Sequence, residues 1–100
     1  MAIYELTTIL PEGTTPAKLK SHKDDIAKLV KTLGGKVAES DELGEQRMAY
    51  PMKDKASGKS FNSGVYTRFG LELDEEKVAT VNQKLRLNES LPRYLLVKSD

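Results

Sequence analysis

The chain opens on a period of two. From Ile3 to Leu10, the positions Tyr4, Leu6, Thr8 and Leu10 fall on one side and Ile3, Glu5, Thr7 and Ile9 on the other, which predicts a strand with one buried face. The stretch from Pro11 to Pro16 breaks that pattern. Thr15-Pro16 reads as a helix start, a threonine N-cap followed by proline at the first helical position, where a missing N–H does no harm. Leu19, Ile26, Leu29, Val30 and Leu33 then share one helical stripe, and Gly34-Gly35 supplies a left-handed stop. A second strand pattern runs from Val37 to Met52 with a break at Gly44, where an interior glycine suggests a bulge. Pro51 cannot donate to a ladder, so it places this strand at an edge or ends it.

"KDKASGKSFNSG", residues 53–64, reads as a long polar hairpin loop. Val65, Thr67, Phe69, Leu71 and Leu73 alternate with Tyr66, Arg68, Gly70 and Glu72 as a third strand. Asp74 caps a second helix with Val78, Val81 and Leu85 facing inward and Asn88 near its exit, and Leu91 to Val97 forms a short fourth strand. The order β-α-β-β-α-β predicts an α+β fold, the ferredoxin-like split βαββαβ sandwich: a four-stranded antiparallel sheet with both helices on one face. Right-handed crossovers put the first and third strands in the centre. One such domain is expected over residues 1–100, with Leu6, Leu29, Val30, Phe69, Val81 and Leu85 in its core.

Composition removes several kinds of chemistry. With no cysteine and one histidine, His22, there is neither a disulfide nor the usual set of soft metal ligands, and no cofactor is expected. No apolar run approaches the ~20 residues that cross a bilayer, and Met1-Ala2-Ile3-Tyr4 enters strand pattern without the blocks of a signal peptide. Gly34-Gly35-Lys36-Val37 follows a helix and enters a strand, the reverse of a phosphate-binding loop. Asp24-Asp25 sits mid-helix on the polar side and Asp74-Glu75-Glu76 at a helix N-terminus, where acids favour the dipole. His22 has no nucleophile in context and reads as a surface helix residue. The chain does not read as an enzyme.

The formal net charge is +1, too small for bulk adhesion to nucleic acid or membrane. The excess is local: residues 43–70 carry five basic groups against two acids, while the segments before and after are each −1. What remains is the helix-free face of the sheet. Tyr66 and Arg68 point away from the core set, Arg47 and Tyr50 come from the neighbouring edge, and Arg93 stands on the fourth strand. Rings and guanidinium groups on an open sheet suit RNA, by stacking and bidentate phosphate contacts. They equally suit ordinary cross-strand pairing. The RNA-recognition-motif signature laid over residues 62–69 matches only at Tyr66 and Phe69.

A wider match exists. "YELTTIL" with Pro11, "GGKVAESDELGEQRMAYPM" in the second strand, and "LRLNESLPRYLLVK" with Arg86, Asn88, Arg93 and Lys98 together resemble the S6 family of bacterial and organellar small-subunit ribosomal proteins. The chain departs from that pattern at Ala2, Glu45 and Gln46, where family members often carry basic residues, and in its longer 53–64 segment. The resemblance implies a non-enzymatic component of the small ribosomal subunit, in the cytoplasm or in an organellar matrix or stroma. It also implies binding to the central domain of 16S ribosomal RNA as a heterodimer with ribosomal protein S18. The RNA contacts it implies are Arg47, Tyr50, Lys55, Tyr66, Arg68, Arg86, Arg93 and Lys98. The competing readings are a ferredoxin-like interaction module that dimerises through its sheet, and a small-ligand regulatory domain, which lacks its Gly-rich loop here.

Overall fold

The structure, a computed structural model, describes residues 2–53, 60–88, 91 and 93–99, without the side chains of residues 48–53 and 61. Its elements are β1 (Ala2–Pro11), α1 (Pro16–Thr32), β2 (Lys36–Lys53), β3 (Ser60–Leu73), α2 (Glu75–Arg86) and β4 (Arg93–Ser99). The sheet is antiparallel in the order β2-β3-β1-β4. The first and third strands are therefore central, as the crossover rule requires.

Alternation decides which face is buried. Tyr4, Leu6, Thr8 and Leu10 of β1 and Val65, Thr67, Phe69, Leu71 and Leu73 of β3 are buried, while the residues between them are not. Both helices cover this one face. α1 contributes His22, Ile26 and Val30, and α2 contributes Val81 and Leu85. Leu91, leading into β4, is fully buried as well. Leu29, expected in the core, packs at its margin.

The helix ends follow from local chemistry. Thr15 Oγ1 accepts from the Lys18 N–H at 3.2 Å, satisfying one of the orphan donors of the first turn. Asp74 is the N-cap of α2 by position but makes no side-chain capping bond. At the end of α1, Gly34 takes a φ of +85° while its N–H reaches Lys31 O and that of Gly35 reaches Val30 O, a Schellman stop. Gly35 is required for a different reason: a Cβ there would sit 2.3 Å from the backbone oxygen of Glu72 on β3. The chain turns from helix into sheet through a gap only glycine fits.

Three expectations are corrected. The 53–64 segment is not loop throughout: Met52 pairs with Phe61 and Lys53 with Ser60, so the β2–β3 ribbon extends well past Gly64, and residues 54–59 lie outside the described residues. The fourth strand begins at Arg93 rather than Leu91 and runs to Ser99. His22 is no surface residue. It is 8% exposed, with its ring edge-on to Phe69 at 6.0 Å between centroids.

β2 itself carries three register shifts. One falls between Glu42 and Gly44, where Gly44 has φ +78°, the backbone of a bulge built on glycine. Another falls between Arg47 and Met52: β2 spends five steps where β3 spends two, from Ser63 to Phe61. Pro51 lies inside that slip. A residue with no N–H sits where the ladder is already interrupted, on an edge strand.

Candidate nucleic-acid interface

The register fixes which proposed contact residues share a face. On β3, Tyr66 and Arg68 lie opposite Ile9 and Thr7 of β1, and those two lie opposite Arg93 and Leu95 of β4. Tyr66, Arg68 and Arg93 therefore stand together on the helix-free face. Arg47 does not join them. It pairs with Ser63, whose parity is that of the core set, so it lies on the helix side of the extended β2–β3 ribbon, exposed. Lys98 is opposite Tyr4, again the helix side, and its Nζ donates to Glu75 Oε1 at the start of α2 at 2.5 Å. That contact, by hydrogen bond and then by charge, holds the Glu75 carboxyl below its usual range. Arg86 is exposed in the last turn of α2. The Tyr50 side chain and the whole of Lys55 lie outside the described residues.

Arg68 is the centre of the open face, and its surroundings are acidic. Its Nη2 donates to Asp41 Oδ2 of β2 at 2.5 Å, and its Nη1 lies 3.8 Å from Glu5 Oε2 of β1. Glu39 stands close by: its side chain folds over Gly70, where an added Cβ would lie 2.8 Å from Glu39 Cγ. The hydrogen bond to Asp41, then its charge, with Glu5 and Glu39 adding to it, raises the pKa of a guanidinium that is always charged. The consequence is neutralisation. A phosphate approaching Arg68 meets carboxylates on two neighbouring strands.

Beside this cluster the face turns apolar. Ile3, Leu95 and Val97 are 51%, 61% and 44% exposed, an unusual amount of bare aliphatic surface on adjacent strands β1 and β4.

Under the sheet a buried polar chain links β1, β3 and α1. His22 Nε2 is 2.9 Å from Thr8 Oγ1, and Thr8 Oγ1 donates to Thr67 O at 3.5 Å. The neutral tautomer that donates from Nε2 lets Thr8 direct its own proton to the Thr67 carbonyl and leaves Nδ1 as an acceptor. Burial pushes the imidazole pKa down, partly offset by the charge of Asp25. Thr67 Oγ1 is buried without a partner. His22 also lines a cavity of about 490 Å³ between the β1–α1 turn, α1 and the exit of α2, together with Leu10, Lys18, Ser21, Asp25 and Asn88.

Among the described residues no three His, Asp or Glu side chains are grouped to hold a metal ion, and no helix is long and apolar enough to cross a membrane.

The element order and the sheet covered by helices on one face define a small α+β protein of the open-faced sandwich type. Comparison with known proteins makes this specific. The family model described as ribosomal protein S6 matches residues 3–98, and the chain belongs to that family. It is 32% identical over 104 residues to the small ribosomal subunit protein bS6 of Fusobacterium nucleatum, with each protein covered in full. It is 28% identical over 100 residues to that of Thermus thermophilus, covering 99% of this chain and 92% of the relative. The crystal structure of 30S ribosomal protein S6 from Thermotoga maritima superposes with a TM-score of 0.80 at 18% identity, covering 98% of this chain and 87% of that one. The Arabidopsis thaliana protein At3g17210 shares the fold more loosely, with a TM-score of 0.55 at 15% identity. The chain is thus a structural protein of the small ribosomal subunit and not an enzyme.

Proposed function

We propose that the protein binds the central domain of 16S ribosomal RNA together with ribosomal protein S18, and that it does so with two chemically distinct surfaces. The observation that carries this division is the state of Arg68. Its charge is taken up by Asp41 and Glu5, and the open face as a whole sets Glu5, Glu39, Asp41 and Glu72 against Lys36, Arg68 and Arg93, with Lys36 paired to Glu72. A net-negative face bearing Ile3, Leu95 and Val97 suits a basic protein with apolar side chains, and repels phosphate. It suits S18 rather than RNA. A self-paired dimer would bring two net-negative faces together, which is why the partner is a different protein.

The RNA contacts then fall outside the Arg68 cluster. Arg47 on the β2–β3 ribbon lies off the open face, and Arg93 at the start of β4 lies at the end of that face away from Ile3 and Val97; both are exposed and make no ion pair among the described residues. Tyr66, in the same row as Arg93 at that end of the face, and Arg86, Lys98, Tyr50 and Lys55 are further contacts proposed from the family likeness. A nearly neutral chain binds this way because the partner brings positive charge while placed arginines fix the register.

The test is the heterodimer. Leu95→Asp places a carboxylate on an exposed position, so the fold is kept. The variant should associate with purified S18 at least about tenfold more weakly than the parent, as expected for a charge stranded in an apolar contact. If Leu95→Asp and Val97→Asp both bind S18 normally, the open face is not the partner surface.

A further inference from the structure

Resting on the RNA-binding reading, we propose that the cavity beside His22 is a pocket for a single unstacked guanosine nucleotide of RNA. Its wall on α1 is a row. Lys18, then Ser21 and His22, then Asp25 all line the cavity; they follow one another at helical spacing of three and four, so they form one file along the helix. From Lys18 to Asp25 that file spans about 10 Å at 1.5 Å per residue. It presents an ammonium at one end, a hydroxyl and an imidazole in the middle, and a carboxylate at the other.

A ribonucleotide has the same order of groups: phosphate, ribose hydroxyls, base edge. The Lys18 side chain is exposed and makes no ion pair among the described residues, so its ammonium is available to a phosphate. Asp25 is likewise exposed and makes no ion pair among the described residues, its charge acting on the neighbouring His22. Among the bases, guanine alone presents two adjacent N–H donors on its Watson–Crick edge, N1–H and N2–H, which one carboxylate accepts together. Between them, His22 Nε2 lies 2.9 Å from Thr8 Oγ1, and the tautomer that donates there leaves the other ring nitrogen as an acceptor. Its remaining Nδ1 acceptor suits a ribose 2′-hydroxyl, the group that tells RNA from DNA. Leu10 and Pro11 give the base an apolar floor, and Asn88 closes the far side with an amide. The other carboxylate on the lining, Glu12, accepts from Ser63 Oγ on β3 at 3.1 Å, which draws it toward the ribbon. The volume of about 490 Å³ holds one nucleotide and not a helix or a duplex.

The experiment is a two-dimensional amide NMR titration of the full chain with 5′-GMP, 5′-dGMP and 5′-AMP. 5′-GMP should move the amides of Lys18, Ser21, His22 and Asp25, with 5′-AMP weaker by about tenfold for the lost pair of hydrogen bonds, and 5′-dGMP weaker than 5′-GMP. Asp25→Asn should erase the preference for guanine, and Lys18→Gln should weaken all three nucleotides together. Both positions are exposed, so neither change threatens the fold. The proposal is overturned if 5′-GMP leaves these amides unmoved, or if it binds no better than 5′-AMP. The same variants are carried into assembly on the rRNA fragment with S18. Normal wild-type assembly with an unresponsive cavity defeats this inference alone; failure of wild-type assembly defeats the RNA-binding reading itself.

Discussion

Thr8 and Thr67 face each other across β1 and β3, both fully buried, yet the same substitution should act on them in opposite directions. Thr8 Oγ1 accepts from the His22 imidazole at 2.9 Å. Valine at position 8 keeps the shape but strands a ring N–H, 8% exposed as a residue and packed on Phe69. A buried donor left unpaired costs about 1–3 kcal/mol. The bond from Thr8 to Thr67 O, at 3.5 Å, is too long to add much. Thr67 Oγ1 has no partner to lose. Valine there removes a desolvated hydroxyl and should stabilise by about 1 kcal/mol. The two variants should therefore differ by roughly 2–4 kcal/mol, on the order of 10 °C or more in Tm for a domain of this size. Urea denaturation at pH 8, where His22 is neutral, measures the difference with the slope held constant. Adding His22→Leu to Thr8→Val should recover part of the loss, because removing both partners is cheaper than removing one. If Thr8→Val and Thr67→Val shift stability in the same direction, the assigned hydrogen bonds are wrong.

Other outcomes follow from single contacts. Because burial lowers the pKa of His22, the folded state binds its proton less readily than the unfolded chain; its contribution to stability is complete above the unfolded value of about 6.5 and is lost as pH falls below that, levelling off beneath the folded pKa. Urea midpoints between pH 8 and pH 5 should fall for the parent and stay flatter for His22→Gln; parallel profiles would remove His22 as the cause. Gly35→Ala drives a Cβ into a backbone oxygen and should cost about 3 kcal/mol or more, whereas a loss below about 1 kcal/mol in the same melts would show that the strands separate easily there. Phe69→Ala should cost about 3–5 kcal/mol, the range for a buried aromatic, checked by the same denaturation. Arg47→Ala and Arg93→Ala should each weaken assembly on the rRNA fragment with S18 by about 1–3 kcal/mol and flatten the salt dependence by close to one counterion; unchanged salt slopes would place both off the RNA.

The fold was legible because its main signals are local. Period two in β1 and β3, Thr15-Pro16 and Gly34-Gly35 each specify their own element, and the order of elements fixes the sheet. The slip around Pro51 was half legible: the proline marks an edge, but only the register shows that β2 carries surplus residues there. His22 was misread although its position held the signal. It falls three residues after Leu19 and four before Ile26, on the buried stripe, and its polar ring hid that phase. The charge state of Arg68 was not legible at all. Asp41 and Glu5 are 27 and 63 residues away in sequence and reach it only through strand pairing. A guanidinium read from sequence as an RNA contact proves, once its neighbours are placed, to be ion-paired with Asp41 and Glu5. The facing of Arg47, left open by the bulge at Gly44, is set only by the register of β2, which puts it on the helix side.

The most direct test of the account is the affinity of this chain for a fragment carrying the central domain of 16S ribosomal RNA, measured at physiological salt with and without S18. With a formal net charge of +1 and an Arg68 already neutralised, the chain alone should bind the fragment weakly, and S18 should raise its affinity by at least two orders of magnitude, or roughly 3 kcal/mol. Tight binding by the isolated chain, or no gain on adding S18, would contradict it.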